Sequence, residues 1–250
     1  MLRKLLTAAA IVAIAAFSAG GAFAEGMTIR IATEGAYPPF NGKDAAGNLV
    51  GFDVDIANAL CAEMKDQCTI VAQDWDGIIP GLVANKYDAI IASMSITDER
   101  KQSVDFTDPY YSNYLRVMAK TGSGITSIDD LAGKSVGAER STVASQWAED
   151  NLGRSSDVKL YDTQTAAYSD LTSGRLDAMI SDIYPAYDWL QSNPGYEFVA
   201  DKIDINDKIA IAVRKGDDKL REAFNAAIKA IRDDGTYAKI NAKYFPFDIF

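Results

Sequence analysis

"KYDAIIASMSITDER", residues 86–100, passes from a short apolar run into small hydroxyls, acids and an arginine. "GRLDAMISD", residues 174–182, begins in the same way and ends on an aspartate. Aligned on each other, the two stretches set Leu82 against Leu171, Lys86 against Arg175, Asp88 against Asp177, Ala89 against Ala178 and Ile91 against Ile180. Ser93 then falls opposite Asp182. A repeated apolar core with different last residues is the pattern of one scaffold used twice, with the chemistry placed where the copies differ.

The flanks carry the repeat further. "TIRIATE" reads as a strand over 28–33, "GFDVDIANALCAEM" has apolar residues near helical spacing, and "CTIVAQD" is a second strand. "WDGIIPGLVAN" reads as a helix with Pro80 in its first turns, where proline is tolerated, before the strand "KYDAIIAS". The order then restarts. "SIDDLAG" is a short helix, "KSVGAE" a strand, and "STVASQWAEDNLG" a helix with Ser141 as its expected N-cap. "VKLYD", "TAAYSDLTSG" and "RLDAMIS" follow as strand, helix and strand. Strands alternating with helices give βαβ units, so an α/β fold of two lobes is expected, each a mostly parallel sheet flanked by helices. Ligands of open α/β sheets bind beyond the carboxyl ends of the strands. Ser93 and Asp182 sit at such ends, and facing lobes would aim both into one cleft.

Composition narrows the class. The 250 residues carry net charge −10, which disfavours nucleic acid or an anionic membrane as partner. Histidine is absent, so Ser–His–Asp and Cys–His catalysis and histidine-ligated zinc are excluded. No cofactor or metal is expected. Arg3 and Lys4, the apolar "LLTAAAIVAIAAF" and the small-x-small "AFA" at 22–24 read as a signal peptide over 1–24, cut after Ala24. No later apolar run is long enough to cross a membrane, so a soluble exported protein is expected. Cys61 and Cys68 are the two cysteines, and an even count in an exported chain reads as a disulfide.

The differing ends have complementary chemistry. Arg100 offers a planar fork of donors that matches a carboxylate. Ser93, Ser95 and Thr97 add hydroxyls, and Thr142 lies at a helix N-terminus that favours anions. Asp182 can pair with an ammonium. A carboxylate site and an ammonium site in one cleft describe an α-amino acid. The same "TDER" also makes a good helix start, with acids in its first turn.

The motifs "TEGAYPPF", "GFDVDIANALC", "DAIIASMSITDERKQSVDFTDPYY", "LTSGRLDAMISD" and "DDGTYAKINAKYFPFD" run in order through nearly all of the exported part. On them the chain resembles the periplasmic solute-binding proteins of the polar amino-acid ABC uptake family. It is most similar to the lysine/arginine/ornithine- and histidine-binding proteins. The resemblance implies a type II periplasmic binding protein fold with two hinge crossings, near "SNYLRVMAK" and "DINDKIAIAV". Lobe 1 would comprise 25–113 and 209–250, and lobe 2 would comprise 114–208, with the last helices, about 217–244, returning to lobe 1. Tyr37 and Trp75 would sandwich the aliphatic stem of the ligand. Ser93, Ser95, Arg100 and Thr142 would hold the α-carboxylate and help with the ammonium, and Asp182 would hold the ammonium. Glu34 would meet a distal cationic group.

Three positions depart from the lysine/arginine/ornithine and histidine patterns: Glu34 is an aspartate there, Glu139 an apolar residue, and Ala92 a serine. Two distal acids favour a cation, because a neutral side chain would leave buried charge unpaired. Arg140 could instead neutralise Glu139, leaving Glu34 alone. The function implied is amino-acid transport: a periplasmic monomer that captures arginine, lysine, ornithine or histidine and presents it to an inner-membrane ABC transporter permease. The alternative is an enzyme on the same fold, such as a cyclohexadienyl dehydratase. A receptor sensor domain would lead into a membrane span, and none is expected before Phe250.

Overall fold

The structure is a computed structural model that describes residues 28–250. The signal peptide expected over 1–24 lies outside the described residues. The first sheet is built on β1 (Thr28–Thr33), which pairs in parallel with β4 (Gln67–Ala72) and β5 (Ala89–Ile90). Between β1 and β4 lie a small hairpin, β2 (Gly42–Lys43) with β3 (Leu49–Val50), and helix α1 (Phe52–Met64). A 3₁₀ turn at Trp75–Gly77 and helix α2 (Ile78–Val83) link β4 to β5, with Pro80 inside α2 near its start. Helix α3 (Asp98–Lys101) and β6 (Val104–Phe106) follow.

The chain then leaves along β7 (Tyr111–Lys120) and builds a second sheet. Its parallel part is β8 (Ser135–Glu139), α4 (Val143–Leu152), β9 (Asp157–Tyr161), α5 (Gln164–Thr172) and β10 (Ala178–Asp182). Helix α6 (Ile183–Ser192) leads into β11 (Tyr196–Ile209), which carries the chain back. β12 (Ala212–Arg214), α7 (Asp218–Asp233) and α8 (Thr236–Tyr244) complete the first lobe.

The sheet orders are β4-β1-β5-β12-β6 and, written in the matching direction, β9-β8-β10-β7-β11. They are the same order, with four strands running parallel and the fourth of each, β12 or β7, antiparallel to the rest. The antiparallel strand of each sheet and the edge strand beyond it were not resolved by reading the sequence. The shared aspartates show what the repeat does. Asp88 accepts the backbone N–H of Arg30 at 2.9 Å, and Asp177 accepts that of Ser135 at 2.8 Å. In return, the N–H of each aspartate donates to the same residue's carbonyl. Each aspartate therefore ties the start of its strand to the start of its parallel neighbour.

Each sheet is covered on both faces. In lobe 1, Ile29 and Ile31 pack against Phe52, Leu60, Phe224 and Ile228 of α1 and α7, while Ala32 and Ile90 pack against Ile78 and Leu82 of α2. In lobe 2, Val117, Val136 and Ile180 meet Ala148 and Leu152 of α4, while Met118 and Met179 meet Ala167 and Leu171 of α5. Cys61 at the end of α1 is disulfide-bonded to Cys68 in β4, with 6.1 Å between Cα atoms. Lys65 turns the chain between them in the left-handed region, φ 59°.

The two crossings lie side by side. β7 and β11 pair antiparallel through Tyr111↔Ile209, Ser112↔Lys208 and Asn113↔Asp207. Asn113 Nδ2 donates to Asp207 at 2.8 Å, and Lys208 Nζ donates to Ser112 at 2.7 Å. The register is broken between Val199 and Ile203 and again between Ile203 and Asp207, just on the lobe 2 side of this ladder.

Candidate functional site

Loops at the carboxyl ends of both sheets meet in one narrow, closed-up cavity of about 20 Å³. Its lining contains all nine residues singled out from the sequence: Glu34, Tyr37, Trp75, Ser93, Ser95, Arg100, Glu139, Thr142 and Asp182, with Ala92 and Val143 between them. Residues up to 100 come from lobe 1 and the rest from lobe 2.

Ser93 and Asp182, opposite each other in the aligned repeats, have different surroundings. Ser93 sits just past β5 with φ 53°, a conformation uncommon for a residue bearing Cβ. It is held there by its own bonds. Its hydroxyl donates to Asp53 at 2.9 Å and its N–H donates to the Tyr110 hydroxyl at 3.2 Å. Asp53 is buried and also accepts from Tyr110 at 2.7 Å and Asn41 at 2.9 Å. Burial still dominates, and it pushes the Asp53 carboxyl up to about 6. Ser95 repeats the device: its hydroxyl donates at 3.0 Å to Asp207, which Asn113 also holds. Both serines therefore spend their protons on buried acids, and their oxygens face the cleft as acceptors. That suits an ammonium better than a carboxylate.

Asp182 ends β10 and occupies the N-cap position of α6, yet makes no capping bond with its side chain. Its carboxylate instead accepts the Tyr37 phenol at 2.6 Å. Burial and the nearby Asp207 raise it to about 6, opposed by Tyr37 and by the charge of Arg100.

Arg100 projects from α3, which Thr97 caps by accepting its N–H at 3.1 Å. The guanidinium donates through Nη1 to the Ser95 carbonyl at 2.8 Å and through Nη2 to the Ser141 carbonyl at 2.9 Å. It lies 5.2 Å from the centroid of the Trp75 ring. Two carbonyls and an indole fix the plane of the fork, leaving further N–H groups for a carboxylate.

The N-cap of α4 is Thr142, not Ser141. Thr142 has extended backbone and forms a reciprocal capping box with Ser145. Its hydroxyl also donates to the Glu139 carbonyl at 2.7 Å. Ser141 has φ 59° and turns outward across the cleft. Its hydroxyl donates to Asp76 at 2.9 Å, and its carbonyl takes Trp75 Nε1 at 3.1 Å as well as Arg100. Three contacts from lobe 1 thus converge on one lobe 2 residue. Sequence reasoning assigned it only a capping role, because either residue of a Ser–Thr pair before a helix has cap chemistry.

Glu34 and Glu139, at the ends of β1 and β8, are both buried. Arg140 does not neutralise Glu139. It pairs with Asp162 at 2.9 Å. Burial pushes Glu34 up to about 7, and burial together with the charge of the neighbouring Glu34 pushes Glu139 well above the usual carboxylate range. No N–H or hydroxyl of the protein donates to Oε1 of either.

Asp53, Asp207, Asn113 and Tyr110 are the members of this assembly that sequence reading missed. Asp53 did leave a signal: an acid inside the apolar run of "GFDVDIA", where a helix facing a core has no use for charge. Asp207 and Asn113 left none, since they meet only through the pairing of β7 with β11.

Two lobes of equivalent topology, closing polar strand ends around one cavity, define a two-lobed ligand-binding protein. The profile of the bacterial extracellular solute-binding proteins, family 3, matches residues 29–247. The chain belongs to that family. It is 45% identical over 237 residues to the L-arginine-binding protein of Pseudomonas aeruginosa, covering 91% of this chain and 92% of that one. It is 41% identical to the lysine/arginine/ornithine-binding periplasmic protein of Escherichia coli, covering 89% of each. Among solved structures, an ancestral arginine-binding protein bound to arginine superposes with a TM-score of 0.84 at 38% identity, over 88% of this chain and 99% of that one. No helix among the described residues is long and apolar enough to cross a membrane.

Proposed function

We propose that the protein captures a cationic L-amino acid (arginine, lysine, ornithine or histidine) in the periplasm and hands it to an inner-membrane ABC permease, without chemistry on the ligand. The carrying observation is the charge layout of the cavity. Arg100, Asp182 with the Ser93 and Ser95 oxygens, and Glu34 with Glu139 line one cavity; in this reading they would take the α-carboxylate, the α-ammonium and the far end of the side chain respectively. Tyr37 and Trp75 flank the stem. The printed ligands of the relatives, arginine, lysine and ornithine, support the same reading. Residues 25–113 and 209–250 form one lobe and 114–208 the other, closing about the paired β7 and β11 strands. The protein acts as a monomer after its signal peptide is removed near Ala24.

The test is to denature protein purified from its own periplasm and identify the released small molecules by mass spectrometry, followed by calorimetry with the pure compounds. A cationic amino acid should be released and rebind. Tighter binding of glutamate, or of any neutral amino acid, than of every cationic one overturns the assignment. Turnover of a cyclohexadienyl substrate would favour the enzyme reading.

A further inference from the structure

Glu34 and Glu139 stand apart from the other acids of the cleft. Asp53 and Asp207 are each satisfied by side-chain donors of the protein. Asp182 has the Tyr37 phenol. Glu34 and Glu139, 7% and 3% exposed, line the same cavity, and the buried Oε1 of each has no donor among the described residues. Their surroundings offer no compensating cation. Asp74 and Asp76 beside the Trp75 turn and Asp182 at the end of β10 add negative charge. Arg140 is taken by Asp162, and Arg100 by two carbonyls. Two neighbouring buried carboxyl groups can satisfy each other only through a proton, because two carboxylates have no donor between them. Two carboxylates buried in the lining of one cavity resist ionising together without a cation between them.

We propose that Glu34 and Glu139 hold a shared proton in the free protein and that the cationic end of the ligand replaces it, so that capture releases a proton to solvent. The exchange balances. The carboxylic O–H bond breaks, the proton passes to water, and N–H groups of the incoming cation donate to the two carboxylates. A guanidinium, planar with five donors, can serve both carboxylates at once, and an ammonium with three is less well matched. The elevated positions of both carboxyls agree with this exchange. Protons and ligand cation then compete for one place, so affinity rises with pH while the free protein still holds the proton. This inference rests on the cationic amino-acid reading above.

Arginine is the probe. Its binding heat is measured at pH 7.5 in buffers of different ionisation enthalpy, and the slope gives the protons released. About one proton per arginine is expected, with affinity rising by up to about tenfold per pH unit between pH 6 and 8. Glu139→Gln, whose amide can donate to Glu34, should bind arginine more weakly and bring the release close to zero. A neutral analogue, citrulline, should release none with the wild type. Arginine binding to the wild type with zero slope across this range overturns the proton exchange and leaves the binding assignment standing. The pair is also read without ligand. Infrared spectra of the free wild type at pH 7.5 should show a protonated-carboxyl band that Glu139→Gln lacks. If the band is absent, the shared proton is refuted whatever binds. If the band is present and arginine does not bind, the ligand assignment falls and the exchange falls with it.

Discussion

The Tyr37 phenol donates a 2.6 Å hydrogen bond to Oδ2 of Asp182, joining residues 145 apart in sequence that stand on opposite lobes. The bond orients the carboxylate proposed to meet the ammonium and joins the two lobes across the cavity at the same time. Tyr37→Phe keeps the ring and removes the donor, so ligand affinity should fall by about 1.5–3 kcal/mol, the net worth of a bond to a charged group. Asp182→Asn should weaken binding far more, with little change in the melting temperature of the ligand-free protein. Calorimetry and thermal melts on both variants check this, and a strongly destabilised free Asp182→Asn protein would mark the aspartate as structural instead.

Arg100 is locked by the Ser95 and Ser141 carbonyls and the Trp75 ring. Arg100→Ala should cost roughly 2–5 kcal/mol of binding free energy, because the ligand carboxylate is left without its charged partner. Arg100→Lys should rescue little, since an ammonium cannot keep two carbonyls and a carboxylate in one plane. Unchanged affinity of Arg100→Ala for every amino acid tried would remove this residue from the site.

Selectivity should depend on Glu34. Stacking of the ligand stem between Tyr37 and Trp75, as proposed, would accept any extended stem, so discrimination between arginine and citrulline would come from charge. Glu34→Gln should narrow that gap more than it lowers affinity for the zwitterionic head the two ligands share. Competition binding with arginine, lysine, ornithine, citrulline and norleucine on both proteins measures it. A gap of unchanged width would place the discrimination elsewhere.

Stability should vary with pH in an unusual direction. Burial holds Asp53 and Asp182 at about 6 and Glu34 at about 7, with Glu139 also raised, against values near 4 in the unfolded chain. Between about pH 4 and 7 the folded state therefore binds more protons than the unfolded state, and stability falls as pH rises. Asp88 has the opposite sign: Arg30 holds it at about 2, so its contribution is lost only as pH falls below about 4. Calorimetric melts of the ligand-free protein should peak near pH 4 and decline toward pH 8. Saturating arginine should flatten the decline. A free protein most stable at pH 8 would contradict the raised carboxyls.

The scaffold was legible because it is written locally. β1 runs over the six residues that alternation marked, and α1 over the apolar spacing of "FDVDIANALCAEM". The two jaws were legible because the repeat aligned Ser93 with Asp182. What escaped depends on pairings distant in sequence. β12 joins β5 and β6 across more than 100 residues, and the Asp207–Asn113 contact exists only because the chain returns beside itself. Ser141 escaped for another reason: its importance lies in a backbone carbonyl and a left-handed turn, and neither is encoded in the chemistry of a serine side chain.

The equivalence of the two strand orders sets a limit on what half of this molecule could do. Two copies of one lobe, brought face to face by a two-fold axis, would present every jaw residue twice, a serine against a serine or an aspartate against an aspartate. Such a site is self-symmetric and suits a ligand whose two ends are alike. An amino acid has unlike ends. Carrying both lobes on one chain lets position 93 and position 182 differ while Asp88 and Asp177 remain the same. The covalent link between the halves is thus what allows the cleft to have polarity, and with it to distinguish head from tail.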